Sequence, residues 1–204
     1  MKEIEIIDAR GKACPQPVIM VKDALVNHAR LIVLVDDEVA VENVKRLGAN
    51  AGCECVVEPV LPGGFRIQIS RSGNDGQPGQ REQPASCGGA VDCGPFVVVF
   101  AENRMGRGND ELGFVLIRAF LHTLCEQDLK PDAIVFYNTG VKLTVKDSEV
   151  LDDLRRLADA GVEMLVCGTC LNYFDISRDI AVGAISNMYD IVGLLSRAGR
   201  IVTP

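Results

Sequence analysis

The sequence has no apolar run that approaches the length of a membrane-spanning helix, and it is short of basic residues. Its 204 residues include 21 Lys and Arg against 28 Asp and Glu, which gives a formal net charge of −7. Surfaces that bind nucleic acid depend on clustered Lys and Arg, so this acidic balance argues against direct binding of DNA or RNA. Since a helix that spans a bilayer needs about 20 predominantly apolar residues, we also expect no membrane association.

The N-terminus lacks the apolar core of a signal peptide, because charged residues alternate with apolar ones from Met1 to Ile6. We therefore expect a cytoplasmic protein, in which eight cysteines point to metal or sulfur chemistry rather than to disulfides. Histidine is also scarce, and we interpret His28 and His122 as packing or surface residues of helices. The sequence has no nucleophile elbow, which argues against a serine hydrolase.

A break in composition divides the chain into two domains. Residues 71–94 are rich in Gly, Gln, Pro, Ser, Asn and Asp, with almost no large apolar side chain, as in a flexible interdomain linker. The flanking segments, 1–70 and 95–204, each have enough apolar residues for a packed core. The linker includes Cys87 and Cys93, each beside a glycine. A disulfide, a metal contribution, a mobile sulfur relay and an inert pair of thiols all remain open for these two cysteines.

The hydrophobic pattern of the first domain gives the order βαβαββ. The two last strands flank Pro62-Gly63-Gly64, which is typical of a hairpin. The predicted strands are 4–8, 31–35, 55–60 and 65–69, and the predicted helices are 15–28 and 39–47. The first domain is therefore expected to be an α/β domain.

The candidate nucleophile of this domain is Cys14, in the segment Arg10-Gly11-Lys12-Ala13-Cys14-Pro15-Gln16-Pro17. If Cys14 is the N-cap of the first helix, the two prolines take its first and third positions and have no amide to donate. Of the first three helical positions, only Gln16 then has a backbone N–H. We expect this N–H to donate a hydrogen bond to the Cys14 sulfur. Together with the helix dipole and the charges of Arg10 and Lys12, that amide favours the thiolate, which attacks or carries sulfur. A small buried cysteine without chemistry is the alternative.

These residues resemble the signature of the TusA (SirA-like) sulfur-carrier family, through Asp8-Ala9-Arg10-Gly11 followed by Cys14-Pro15-Gln16-Pro17. The resemblance covers roughly the first 70 residues. It implies that Cys14 carries a persulfide and that two helices lie on one face of a four-stranded mixed sheet. The implied supporting residues are Arg10, Gly11, Pro15, Gln16 and Pro17.

The second domain alternates strands and helices, beginning with the continuously apolar strand Phe96–Phe100. Further strands are predicted at 133–137, 162–167, 181–185 and 200–203, helices at 110–127, 148–160 and after a cap at Asn187, and a turn at 138–140. This alternation implies a doubly wound, flavodoxin-like parallel sheet, whose site lies beyond the carboxyl ends of its strands. Helix 110–127 has apolar residues on more than one stripe, which predicts a homo-oligomer through this domain.

The motif Cys167-Gly168-Thr169-Cys170 begins where the third strand of the second domain ends. Three interpretations stay open for it. One is half of a zinc site, which would need a second close pair such as Cys53 and Cys55. The second is a dithiol redox pair at a helix start. The third is a sulfur-relay thiol.

From Phe96 onward the chain resembles the DsrE-like family of sulfurtransferase subunits, through the opening strand, the Gly-rich loop before residue 110 and the cysteine that ends the third strand. This resemblance implies that Cys167 receives sulfur, that Cys170 is an addition of open role, and that subunits associate. The two domains together, with the run 167–174, resemble the YedF-type proteins associated with selenium metabolism. Selenium is therefore a second candidate cargo.

The loop 105–110 contains Gly-x-Gly between a strand and a helix, where free amides can bind a phosphate. The full dinucleotide fingerprint is missing, so we favour a tight loop. A flavin at the switch point of the sheet is a further option for this architecture. We expect no cofactor other than the covalent persulfide or selenopersulfide cargo.

The leading hypothesis is a cytoplasmic carrier of persulfide-type sulfur or selenium. Cys14 would accept the cargo from a cysteine desulfurase-type donor, and Cys167, backed by Cys170, would relay it to a sulfur or selenium acceptor enzyme. Such a protein is a sulfurtransferase-type carrier rather than a stand-alone enzyme. The alternative hypothesis is a redox-sensing or regulatory binding module, in which the thiols are structural or redox-active.

Overall fold

The computed structural model describes residues 4–60, 63–71 and 94–204. These residues form two compact units, one on each side of residues 72–93. The predicted linker, with Cys87 and Cys93, lies outside the described residues except at its two ends. Within the described ranges, no helix has the length and apolar character that crossing a membrane requires.

The first unit has the predicted order βαβαββ. Its strands are β1 (Glu5–Asp8), β2 (Arg30–Val35), β3 (Cys53–Pro59) and β4 (Phe65–Arg71), and its helices are α1 (Gln16–Asn27) and α2 (Glu38–Asn50). Asp37 caps α2 by accepting a hydrogen bond from the Ala40 backbone N–H at 2.8 Å. Carboxylate side chains at this position satisfy an amide that has no partner within the helix.

The four strands of the first unit form a mixed sheet in the order β1-β2-β4-β3. β1 is parallel to β2, whereas β4 is antiparallel to both of its neighbours. The two helices contact each other and pack their apolar sides against the sheet, so one core lies between two layers. The core includes alternate residues of β2 and β4 and facing helical side chains, namely Leu31, Val33, Val35, Ile67, Ile69, Val21, Leu25 and Val44. The predicted two-layer mixed-sheet fold is confirmed.

The second unit alternates strands and helices, as predicted. Its strands are β5 (Phe96–Phe100), β6 (Ala133–Phe136), β7 (Glu163–Cys167), β8 (Ala184–Ser186) and β9 (Arg200–Val202). Its helices are α3 (Asp110–Glu126), α4 (Leu151–Asp159), α5 (Gly168–Tyr173) and α6 (Met188–Arg197), with a 3-10 helix at Asn138–Thr144.

These five strands are all parallel and follow the order β8-β7-β6-β5-β9. Every residue of β6 is buried, which explains why the central strands are apolar at each position rather than at alternate ones. Where β5 and β6 end side by side, the rings of Phe100 and Phe136 stack with centroids 5.4 Å apart. The predicted parallel α/β sheet is confirmed, and it brings the carboxyl ends of β5, β6 and β7 to one edge.

Three local predictions about the second unit differ from the structure. Strand β8 covers Ala184–Ser186 rather than 181–185. Residues 138–140 begin a 3-10 helix rather than a simple turn, and the Gly140 N–H donates to the Tyr137 carbonyl at 3.0 Å. Helix α4 starts at Leu151, since residues 148–150 form a turn closed by the Leu151 N–H and the Ser148 carbonyl at 3.2 Å.

One cap prediction in the second unit is confirmed. Asn187 caps α6, with its Oδ1 accepting a hydrogen bond from the Asp190 N–H at 3.1 Å. Asparagine is among the residues most favoured at this position, which is why the sequence reveals the start of this helix.

The residues that the structure describes cover one side of helix α3. The residues that face the core are Gly113, Ile117, Leu121, Leu124 and Cys125. Four large apolar side chains near its N-terminus stay exposed, namely Leu112, Phe114, Val115 and Leu116. The second apolar stripe seen in the sequence therefore forms open surface.

Candidate functional site

The loop between β1 and α1 holds Cys14, and two hydrogen bonds tie this loop to the end of β2. Ala9, which is buried, donates its N–H to the Leu34 carbonyl at 2.9 Å. Gly11 donates its N–H to Asp36 Oδ2 at 2.6 Å. Gly11 has φ of +68°, a left-handed conformation that glycine adopts without steric cost. The loop is therefore anchored on its N-terminal side, while Cys14 lies half-buried at its C-terminal end.

Helix α1 starts one residue later than predicted. Pro15 rather than Cys14 is its N-cap, and Pro17 takes the second helical position. The N–H of Gln16 donates to the Ala13 carbonyl at 2.9 Å, in the turn that leads into the helix. The prediction that the Gln16 amide serves the Cys14 sulfur is therefore wrong, because that turn already uses the amide.

Arg10 forms a two-point ion pair inside the same loop. Its Nε lies 2.9 Å from Asp8 Oδ1, and its Nη2 lies 2.7 Å from Asp8 Oδ2. The side-chain hydrogen bond from Arg10 lowers the pKa of Asp8 to about 2. Both side chains are largely exposed, so the pair orients the loop rather than adding much stability. The positive charge expected from Arg10 is largely offset by Asp8.

The second candidate site lies at the junction of β7 and α5. Cys167 is the last residue of β7, and Cys170 lies in the first turn of α5, so the motif occupies the predicted strand end. Cys167 is only 1% exposed and belongs to the core, whereas Cys170 is half-buried. The Cys167 sulfur therefore does not protrude from the strand end, because the strand directs this side chain into the core.

Burial is also the main influence on the Cys167 thiol, and it raises the pKa of that thiol. The backbone amides of Cys170 and Thr169 oppose this rise, and the Cys170 thiol adds to it. The two thiols of the motif therefore lie close enough to interact.

Cys170 reaches the end of the neighbouring strand. The Asn138 backbone N–H, just beyond β6, donates to Cys170 Sγ at 3.1 Å. Asn138 has φ of 50°, a left-handed conformation that asparagine tolerates better than most residues. An amide that donates to sulfur stabilises negative charge on it. The adjacent ends of β6 and β7 thus supply a thiol and a hydrogen-bond donor for it.

The 3-10 helix places a cation over the aromatic ring that follows α5. Lys142 Nζ lies 4.5 Å from the centroid of the Phe174 ring, directly after α5. Lys142 also lines a cavity of about 310 Å³, with Phe114 and Ile117 of α3 on its apolar side. The cavity occupies the carboxyl edge of the sheet, where open α/β sheets hold their ligands.

The Gly-rich loop before α3 is occupied by its own polar groups. Asn109 caps the helix by accepting the Leu112 N–H at 2.9 Å, and Asp110 and Glu111 fill the first turn. Arg104 pairs with Asp110 at 2.5 Å. The carboxylates of Asp110 and Glu111 already occupy the helix N-terminus, where a phosphate would have to bind. This arrangement favours the tight-loop interpretation.

The other cysteines of the first unit contribute to packing. Cys53 and Cys55 on β3 pack against the core, and Cys55 Sγ lies against Gly48. Burial raises the pKa of Cys55. Throughout the described ranges, no three His, Cys, Asp or Glu side chains converge as a metal site requires. The described ranges therefore provide no further ligands for a zinc site at the Cys167 motif.

Three contributors to the two sites escaped the sequence analysis: Asp8 as the partner of Arg10, Asp36 as the acceptor for Gly11, and Asn138 as the donor to Cys170. Asp36 directly follows β2, and Asn138 lies two residues beyond the end of β6. Asp and Asn are enriched at such positions because they accept unusual backbone conformations and hydrogen-bond locally. That enrichment signals a turn, but it does not identify the group that the turn contacts.

Replacing Arg10 with Gln should raise the pKa of Asp8 from about 2 toward the ordinary value of about 3.9, because the Arg10 hydrogen bond is the largest cause of the shift. The pKa is measured by NMR titration of the Asp8 carboxyl carbon. Since the pKa in the folded chain is depressed, the stabilisation from the charged carboxylate is present above about pH 4 and is lost toward about pH 2. The control, Lys12→Gln, removes the smallest contributor and should leave the pKa near 2. An Asp8 pKa unchanged in Arg10→Gln would contradict the pairing.

Comparison with known proteins assigns each unit to a family. Residues 5–71 match the family model described as Sulfurtransferase TusA, and residues 96–204 match the DsrE/DsrF-like family. No curated protein matches the chain.

Three solved structures are similar to parts of the chain. A SirA-like protein from Desulfitobacterium hafniense is 30% identical, with 33% of this chain and 96% of that chain covered and a TM-score of 0.31. A protein of unknown function from Methanobacterium thermoautotrophicum is 21% identical, covering 53% of this chain and 99% of that chain, with a TM-score of 0.38. The ychN protein from E. coli is 15% identical, covering 53% and 98%, with a TM-score of 0.42. Since the second family model matches more than half of the residues, the chain belongs to the DsrE/DsrF-like family and has a sulfurtransferase TusA domain ahead of that part.

Proposed function

We propose that this protein carries persulfide-type sulfur or selenium, with Cys14 as the acceptor thiol of the first unit and the Cys167-Cys170 pair as the second station. One observation carries the proposal: each unit matches a sulfur-relay family and has a cysteine where a strand leads into a helix. In the first unit this cysteine follows a loop that hydrogen bonds hold in place. A fixed loop supports a role in which the sulfur is presented to partners.

The chemistry of the cargo defines the partners. A thiol gains a persulfide when it attacks the outer sulfur of a donor persulfide, and the donor thiol leaves. The donor is therefore a protein of the cysteine desulfurase type, and the acceptor is an enzyme that consumes sulfur or selenium. Selenium, as in the YedF-type proteins that the two-domain order resembles, would use the same exchange with a selenopersulfide. We place this relay in the cytoplasm, where thiols stay reduced.

The exposed apolar side chains of α3 support a homo-oligomer through the second unit. Leu112 is 55% exposed and Val115 is 52% exposed, and Leu116, on the same side of the helix, extends this surface. Contiguous apolar surface of this kind commonly marks a protein interface. In a symmetric dimer the same patch would meet its copy on the other subunit.

The acceptor role of Cys14 predicts that Cys14→Ser abolishes loading of the first unit without unfolding it. The full chain is incubated without oxygen with a cysteine desulfurase and cysteine, and peptide mass spectrometry locates added sulfur. The wild type should gain a reductant-sensitive sulfur on Cys14. The matched control is Cys53→Ser, because Cys53 is also half-buried in the first unit. Loading equal to that of the wild type is expected for this control. No sulfur on Cys14 in a folded wild-type chain would overturn the carrier function.

The interface on α3 predicts that Val115→Lys weakens association, because an unpaired charge would be buried between the subunits. Such a burial costs about 3 kcal/mol or more, equivalent to about a hundredfold weaker association. Sedimentation velocity of the full chain at micromolar concentration measures the change. Val26→Lys is the matched control, since Val26 is 78% exposed on α1 and lies outside the patch. A wild-type chain that is already monomeric would contradict the proposal.

A further inference from the structure

We propose that Cys170 receives the sulfur or selenium atom and that Cys167 then expels it as hydrogen sulfide or hydrogen selenide, leaving a Cys167–Cys170 disulfide. The second unit would thus be a reductive release site rather than a second persulfide store. This inference rests on the proposed function, because it assumes that persulfide cargo reaches the second unit. It assigns an order to the two thiols and a chemical form to the product.

Exposure decides which thiol meets the donor. A donor persulfide must bring its outer sulfur into contact with the attacking thiol, and Cys167 is 1% exposed within the core. Cys170 is half-buried and lies beside the exposed residue Thr169. Only Cys170 of this pair can therefore be reached without opening the fold. The Asn138 N–H that donates to Cys170 Sγ also stabilises negative charge on the thiol that attacks.

Proximity makes Cys167 the second thiol to react. Cys167 is the N-cap of α5 and Cys170 lies three residues later, a spacing that places the two side chains on the same side of the first turn. The Cys170 thiol already influences the pKa of Cys167. Residues with this spacing have Cα atoms at a separation that suits a disulfide. Cys167 is inaccessible to a donor, but it can react with the persulfide that Cys170 carries.

The two steps balance in atoms and charge. In the first step Cys170 attacks the outer sulfur of the donor persulfide. The bond between the two donor sulfurs breaks, the donor leaves as a thiol, and Cys170 becomes a persulfide. In the second step the Cys167 sulfur attacks Cys170 Sγ, the bond to the outer sulfur breaks, and the Cys167 proton leaves with that sulfur. The outer sulfur is reduced to hydrogen sulfide, and the two cysteines are oxidised to a disulfide. The less basic leaving group departs faster, and hydrogen sulfide and hydrogen selenide are both more acidic than a cysteine thiol.

Ser186 provides a hydroxyl for the second step. It lies on β8 in register with Cys167 on β7, so the two side chains project from the same face of the sheet. Ser186 is fully buried, and its Oγ has no hydrogen-bond partner among the described residues. An orphaned buried hydroxyl is rare in folded proteins. Here it would donate to the Cys167 sulfur as that sulfur loses its proton.

The product and the disulfide define what must act next. Hydrogen sulfide or hydrogen selenide is the substrate of an enzyme that incorporates the reduced element. The disulfide must be reduced by an external dithiol, a protein of the thioredoxin class or dithiothreitol in vitro, before another turnover. The reducing electrons thus come from that dithiol, one molecule for each sulfur released.

The test uses the full chain, reduced and free of oxygen, with glutathione persulfide as the donor. Glutathione persulfide is small, and its outer sulfur is labelled with a heavy isotope. Samples are alkylated after increasing times, and peptide mass spectrometry reports persulfide at Cys14 and Cys170 and the disulfide at Cys167. Released labelled sulfide is trapped and counted. The variants are Cys167→Ala, Cys167→Ser and Cys170→Ser, and Cys125→Ala is the control for loss of a buried cysteine.

In the wild type and in Cys125→Ala, we expect one labelled sulfide for each Cys167–Cys170 disulfide. In Cys167→Ala and Cys167→Ser the labelled sulfur should stay on Cys170, at a level at least about tenfold above the wild type, because intramolecular attack is lost. Cys170→Ser should leave Cys167 unlabelled. Two Cys167 variants are used so that a folding defect in one does not decide the result.

Three results would overturn the proposal. One is a Cys170 persulfide that persists equally in the wild type and the Cys167 variants. The second is a label on Cys167 in Cys170→Ser, and the third is glutathione rather than sulfur on Cys170 in the Cys167 variants. Labelling of the Cys14 peptide distinguishes a failure of the release step from a failure of the proposed carrier function. Labelled Cys14 without release overturns the inference alone, whereas a chain that gains no sulfur at Cys14 or Cys170 overturns both.

Discussion

The difference in depth between two thiols on the first turn of α5 controls the chemistry that we assign to the second unit. A parallel strand buried on both faces ends in a side chain that points into the core, and in β7 that side chain is Cys167. The helix that follows turns the chain outward, so Cys170 is only half-buried and lies next to the end of β6. One thiol can meet a partner, and the other can meet only its neighbour.

In the first unit a loop, rather than a strand end, holds the cysteine. Its cysteine lies at the C-terminal end of a loop that Gly11, Asp36 and Ala9 anchor to β2. The local charges are arranged so that Arg10 is held by Asp8. We interpret this loop as a fixed platform that presents Cys14 to partners, with no second thiol near it in the motif to complete a disulfide. In the function that we propose, Cys14 stores the cargo and Cys170 releases it.

The sequence predicted the fold well because its strongest signals are local. Continuous apolar strands, the βαβαββ order and the Asn187 cap each follow from spacing and residue type over a few positions. The two cysteine motifs were found for the same reason. The start of α1 was misplaced by one residue, since a turn and a helix with proline at the junction have the same sequence signature. The burial of Cys167 was missed, because a strand end gives no sequence signal of the direction in which its last side chain points.

The contacts that complete the sites were beyond the reach of the sequence. Asp36 is 25 residues from Gly11, and Asn138 is 32 residues from Cys170, so each pair forms only when strands align in the folded sheet. Local patterns identify Asp36 and Asn138 as turn residues, while their partners depend on tertiary packing. The open apolar surface of α3 was visible as a second stripe, but a pattern does not say whether the same chain or another copy covers it.

Since both stations of the proposed relay belong to one chain, cargo loaded on Cys14 should pass to Cys170 within one molecule. The most direct measurement uses the Cys167→Ala chain, in which sulfur that arrives at Cys170 stays there. Cys14 is loaded with labelled sulfur, the donor is removed, and the protein is diluted tenfold or more before the label at Cys170 is followed by peptide mass spectrometry. The proposed relay predicts a transfer rate constant that does not depend on protein concentration. A rate that falls in proportion to dilution, or label that never reaches Cys170, would contradict it.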